Sequence, residues 1–179
     1  MSRWAIRFLP LLEKIFRKYK RPVGGSWRMD ETYIKVKGVW KYFYRAVDRD
    51  GKTIDFLLTA KRDKAAAKRF FDKAMQANGV PEKVTMDKSG ANKAAIDEIN
   101  ASRDIPMVVR QVKYLNNIVE QDHRAVKRIT KPMLGFKSFQ SAKSILAGIE
   151  LMHMIRKGQM MMEETDEMSF AEQFYALAR

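Results

Sequence analysis

The amino-acid sequence predicts an α/β fold: a five-stranded mixed sheet with helices on both faces. Three observations predict it. Residues 28–59 carry the period-two pattern of strands, cut twice by glycine turns. Residues 63–112 alternate helical and strand-like stretches. Residues 116–156 then read as two helices. A meander followed by alternating α/β units gives three antiparallel strands first and parallel additions after them.

The elements follow in order. Residues 3–18 set Trp4, Phe8, Leu11, Leu12, Ile15 and Phe16 against Arg3, Arg7, Lys14, Arg17 and Lys18 at helical spacing, with Pro10 near the start or at a kink. Lys20–Ser26, with Pro22, Gly24 and Gly25, reads as a linker. The first strand is Met29–Val36, with Asp30, Thr32, Ile34 and Val36 on one side. Gly38 turns the chain into the aromatic strand Trp40–Asp48. Asp50-Gly51 is a hairpin signal before Thr53–Thr59. Asp63 reads as the N-cap of a helix over Lys64–Ala77, ended by Gly79-Val80-Pro81. Lys83–Met86 is a short strand leading to Asp87, and Lys88-Ser89-Gly90 opens a helix over Ala91–Ser102. Met107–Val112 is the fifth strand. Ser138 caps a helix to Arg156 with Ile145, Leu146, Ile149, Met152 and Ile155 as its apolar stripe, and a short helix covers Phe170–Leu177. Trp27 and Trp40 read as core.

Composition narrows the chemistry. A chain of 179 residues with 46% hydrophobic side chains has enough material for one globular domain with appendages. No run approaches the roughly 18 apolar residues of a membrane span, and Arg7, Pro10, Glu13 and Lys14 break the apolar stretch that a signal peptide would need; the expected location is the cytoplasm. Without cysteine there are no disulfides and no thiolate metal sites, and two histidines, His123 and His153, do not make a histidine-based zinc site. A metal ion would have oxygen ligands, which favours Mg2+ or Mn2+. The net charge of +14 implies a polyanionic partner, nucleic acid rather than membrane. Residues 1–28 hold eight Lys/Arg against Glu13 alone, whereas residues 162–179 hold five acids against Arg179.

The stretch Asn116–Ile129 reads as a helix with Glu120 inside a field of donors and cations: Asn116, Asn117, His123, Arg124, Lys127 and Lys131 share its face, and Ile118, Val119, Ala125, Val126 and Ile129 lie opposite. Asp122 falls on the apolar side, as a buried, hydrogen-bonded residue that positions the helix would. A single carboxylate so surrounded suits a metal ion and a phosphate held side by side. Two further carboxylates are placed to join it. Asp30 lies in the first strand and Asp87 at the carboxyl end of the fourth, where α/β folds collect ligands. Taken singly, Asp87 is an N-cap candidate and Glu120 a solvated helix residue. Brought together, the three repel one another unless divalent cations neutralise them, and two such ions about 4 Å apart activate water or a hydroxyl and stabilise the leaving oxygen of a phosphodiester.

The segments Trp27–Val36, Tyr44–Asp48, Met86–Asn92, Asn116–Arg124 and Gly135–Phe139 resemble, in the same order, the DDE transposases of bacterial insertion sequences, in the group of small cointegrate-forming elements. The resemblance runs from Trp27 to Gln159. It implies an RNase H-like, integrase-type catalytic core at residues 27–160, between a basic helix and linker (1–26) and an acidic tail (161–179). It places the catalytic, metal-holding triad on Asp30, Asp87 and Glu120, the second gap being 120 − 87 = 33 residues. Many members carry Lys or Arg seven residues after the glutamate, here Lys127. Contacts to DNA are expected from Lys88, Asn117, His123, Arg124, Lys127 and Lys131. The implied activity is metal-dependent phosphodiester hydrolysis and strand transfer at element ends, with Mg2+ or Mn2+, two ions, terminal-repeat and target DNA as partners, and a homodimer or larger assembly. Relatives usually carry an N-terminal helix-turn-helix region; the 29 residues before Asp30 hold one helix and a linker. The competing readings are a truncated DNA-binding or dimerisation remnant without transposition activity, and a nuclease of the same fold.

Overall fold

The computed structural model describes residues 3–112, 117–161 and 168–178, without the side chains of 117 and 118. Asn116, most of the acids of the C-terminal tail and Arg179 lie outside the described residues. The chain forms two compact units, Val23–Gly135 and a second that joins 1–22 to 136–179.

The larger unit is a five-stranded mixed sheet. Its strands are β1 (Ser26–Val36), β2 (Val39–Asp48), β3 (Thr53–Thr59), β4 (Lys83–Met86) and β5 (Val108–Gln111), in the order β3-β2-β1-β4-β5. The meander β1-β2-β3 is antiparallel, and β4 and β5 add in parallel. Each turn follows from local chemistry. Lys37 and Gly38 both take positive φ between β1 and β2, as a two-residue hairpin demands. Asp48 organises the next turn by accepting from the backbone N–H groups of Asp50 (3.0 Å) and Lys52 (2.9 Å) through Oδ1. Its Oδ2 accepts from Gly24 N–H (3.0 Å), which ties the entry of β1 to the same point.

Helices cover both faces. Helix α2 (Lys64–Asn78) starts where Asp63 Oδ1 accepts from Ala66 N–H at 2.8 Å, and α3 (Gly90–Ala101) follows β4. Both bury their small and aromatic positions, Ala66, Ala67, Phe70, Phe71, Ala74, Ala95, Ile96 and Ile99, against Trp27, Met29, Tyr44, Ala46 and Val84 of the sheet. Helix α4 (Asn117–Thr130) packs on β1 and β2, on the face that carries Asp30, Thr32, Ile34 and Val36.

Trp27 is core, as its strand position implies, but Trp40 is not: it stands 57% exposed. The cause is the length of the first hairpin. Pairing with β4 ends at Arg28 and pairing with β3 ends at Tyr42, so residues 33–41 project as a two-stranded ribbon past both neighbours.

The smaller unit contains α1 (Arg3–Phe16), α5 (Phe139–Arg156) and α6 (Phe170–Ala176). Helix α1 packs on α5, with Phe16 fully buried and Leu9 lying over Gly148. Trp4, Phe8 and Leu11 of its apolar positions are exposed. Ser138 caps α5 by accepting from Ser141 N–H (3.0 Å), and Ser169 with Glu172 forms a capping box on α6. Lys20 and Met160 pair as an isolated antiparallel bridge. Among the described residues no helix is long and apolar enough to cross a membrane.

Candidate active site

Parallel pairing of β1 with β4 places two of the three expected carboxylates. Arg28 sits opposite Thr85, and two further residues along both strands bring Asp30 level with Asp87. Carboxylate oxygens of Asp30, Glu31 and Asp87 lie within 4.8 Å of one another. Glu120 is exposed, on α4, close enough for its charge to act on Asp30 but outside that 4.8 Å group.

The cluster is electrostatically strained. Burial pushes the Asp30 carboxyl up to about 7; the backbone N–H of Glu31, donating to it at 2.9 Å, pulls the other way, and the charges of Glu31, Asp87 and Glu120 add to the rise. A cation bound there would reverse that strain, and the donors are all hard carboxylate oxygens, the ligand type that suits Mg2+ or Mn2+.

Two members of the site were not read from the sequence. Glu31 points to the α2/α3 side of the sheet, where Asn92 Nδ2 donates to its Oε2 at 3.1 Å and Arg62 Nε to its Oε1 at 2.6 Å. Arg62 Nη2 reaches Asp87 Oδ2 at 3.5 Å, so one guanidinium holds Glu31 and Asp87 together. Asp87 Oδ1 also accepts from Ser89 N–H (3.2 Å), which fixes the turn into α3. The signals were present as the acid directly after Asp30 and the Lys61-Arg62-Asp63 cluster before α2. Strand alternation, however, sends Glu31 to the opposite face from Asp30.

Helix α4 faces differently from the expectation. Its buried stripe is Val119, His123, Val126 and Thr130, and Ile129 is exposed. His123, expected among the DNA-facing groups, is 5% exposed, with Nδ1 3.6 Å from Asp30 Oδ2. Burial, with Arg45 and Lys127 adding to it, lowers the imidazole to about 3, so it stands neutral beside the carboxyl rather than as its ion pair. The reason is the composition of the sheet beneath: Asp30 and Arg45 are cross-strand partners on this face and offer a polar floor to a polar ring. Asp122 is hydrogen-bonded as expected, though half-buried rather than buried. Its Oδ2 accepts from Nη2 of fully buried Arg45 at 3.2 Å, which pins α4 to β2. Arg124 and Lys127 are exposed on α4, as are Lys131 directly after it and Lys88 beside Asp87. The side chain of Asn117 lies outside the described residues.

A mixed sheet with this strand order, one acid within β1 and another just past the end of β4, is the framework of integrase-type catalytic cores. The catalytic core domain of HTLV-2 integrase, in its trimeric form with magnesium, superposes with a TM-score of 0.56 over 73% of this chain and 86% of that one, at 18% identity. That of BIV integrase gives 0.53 over 87% and 99%, at 15% identity. Residues 24–159 match the family model described as the DDE domain. A transposase for the insertion sequence-like element IS431mec from Staphylococcus aureus (strain Mu50) is 39% identical over 157 residues, 87% of this chain and 68% of the relative. The chain belongs to the DDE-domain transposase family. It is a DNA transposase catalytic core, of the class of polynucleotidyl transferases that work with divalent metal.

Proposed function

We propose that Asp30, Asp87 and Glu120 are the catalytic triad, and that they act on insertion-element ends and target DNA in the cytoplasm. The observation that carries this reading is the meeting of Asp30, within β1, and Asp87, just past the end of the paired strand β4, within 4.8 Å and under the charge of Glu120. Asp30 and Asp87 would hold Mg2+ or Mn2+, two ions in the full site, with Glu120 completing one coordination sphere as α4 settles on bound DNA. The metal supplies charge neutralisation for the phosphodiester and a lowered proton affinity at the attacking oxygen. The magnesium named with the HTLV-2 integrase core supports the choice of ion.

The chain's own residues supply the rest. Arg62 and Glu31 keep Asp87 beside Asp30. His123 packs neutral against Asp30 and fixes its direction. Lys88, Arg124, Lys127 and Lys131 form the exposed basic front that receives phosphates, with Asn117 at the head of the same helix. The reaction has two steps. Water oxygen bonds to phosphorus at the element end as the bond to the 3′ oxygen breaks, and that oxygen leaves as a 3′-hydroxyl. This hydroxyl then bonds to a target phosphorus in line with the departing target 3′ oxygen, which takes the proton. No covalent protein intermediate is needed. Assembly as a dimer or larger would bring two ends together; the HTLV-2 integrase core is described in dimeric and trimeric forms.

The test is Mg2+-dependent nicking of element-end DNA. Asp30→Asn, Asp87→Asn and Glu120→Gln should each lower the rate by about a thousandfold or more, roughly 4 kcal/mol. Unchanged cleavage by any one of them removes that residue from the triad.

A further inference from the structure

The projecting ribbon formed by β1 and β2 carries a surface that the carboxylate site does not use. On the face that bears Glu31, the next residues outward are Tyr33 and Lys35, paired across the strands with Tyr42 and Trp40. Tyr33 is 49% exposed, its ring 5.5 Å from Tyr42 and edge-on to Trp40 at 6.5 Å. Lys35 Nζ lies over the Trp40 ring at 5.8 Å, and Lys37 is exposed at the turn. No acid occurs between Glu31 and Asp48. The opposite face of the ribbon is partly covered: Ile34 and Val36 are buried. On that face Val39, at the turn, is 56% exposed.

Flat exposed rings interleaved with lysines suit a strand whose bases are unstacked, because every base has a face to stack and the phosphates meet the cations. A paired duplex hides its base faces and uses only the cations. We propose that the Tyr33–Trp40–Tyr42 face with Lys35 and Lys37 binds unpaired DNA nucleotides flanking the site of strand cleavage. The inference rests on the reading of the chain as a DNA transposase core. The face begins two residues from Glu31, and its outer pair lies four residues from it, roughly 14 Å at strand spacing, so it guides a few nucleotides that leave the carboxylate cluster.

The test is fluorescence anisotropy with the full chain in EDTA, comparing one blunt labelled duplex with the same duplex bearing about six unpaired thymidines, within the range of single-strand site sizes. Working without divalent ion separates this result from the nicking assay. The wild type should prefer the extended DNA, and Tyr33→Ala and Trp40→Ala should each weaken its binding about tenfold or more while leaving the blunt duplex unchanged. Trp40→Phe should keep the preference, and Trp40→Leu, which retains apolar bulk without a ring, should lose it. A wild type without preference, or variants that lose both DNAs equally or neither, would overturn the proposal. So would a Trp40→Ala protein that changes sedimentation from dimer to monomer and keeps its DNA preference, since a second copy would then be the occupant.

Discussion

Asp30 concentrates the conflict of this site in one carboxyl: buried, crowded by Glu31, Asp87 and Glu120, and facing a neutral His123. Such an arrangement costs stability and favours a cation. Around it, single residues have separable duties. Removing Asp122 leaves the guanidinium of Arg45 buried without its carboxylate partner on α4. Asp122→Ala should therefore cost about 3 kcal/mol in denaturant unfolding. Arg62→Ala should lower the nicking rate about tenfold with little change in KM for DNA, the pattern of a lost positioning contact. Arg62→Lys should restore only part, because a point charge cannot hold Glu31 and Asp87 with two nitrogens. The meeting of Asp30 and Asp87 was legible because one lies within a predicted strand and the other directly after one. Glu31 and Arg62 were not, since their meeting depends on a loop folding back over β1.

At the scale of elements, periodicity located most strands and helices within a residue or two, because Asp63, Ser138 and Gly79 cap or stop them by local chemistry, though β1 starts three residues early, at Ser26. The facing of α4 was less legible. A helical wheel ranks histidine as polar and isoleucine as apolar, yet the polar floor made by Asp30 and Arg45 buries His123, and the helix leaves Ile129 outside. Trp40 misled for a related reason: no local pattern reveals that β3 and β4 stop short of the hairpin tip. Between helices, Glu98 of α3 pairs with Lys64 and Lys68 of α2, which lowers its carboxyl to about 2. A depressed carboxyl stabilises above its unfolded value and loses that effect as pH falls through its folded one. The melting difference between wild type and Glu98→Gln should thus be small, be present at pH 6, and vanish between pH 4.5 and 2. In the smaller unit, a Cβ at Gly148 would lie 2.6 Å from Leu9 Cδ1. Gly148→Ala should cost about 1–2 kcal/mol, and adding Leu9→Ala should recover part of it in a double-mutant cycle.

At the scale of the whole molecule, the order of strands followed from the rule that meanders pair antiparallel and crossovers add parallel neighbours. The grouping of 1–22 with 136–179 did not, since it joins distant parts of the chain through apolar contacts that leave no local signature. The charge of +14 was legible at once, and it sets the salt response. DNA affinity should fall steeply with the logarithm of salt concentration, and Lys127→Ala or Lys131→Ala should each reduce that slope by about 1.

The central claim is that distant acids converge into one divalent-cation site. Titration of Mn2+ into the full chain, followed by electron paramagnetic resonance, tests it most directly. The wild type should bind the ion, and Asp30→Asn and Asp87→Asn should each abolish the binding while remaining folded by circular dichroism. Folded variants that take up Mn2+ as the wild type does would contradict the account.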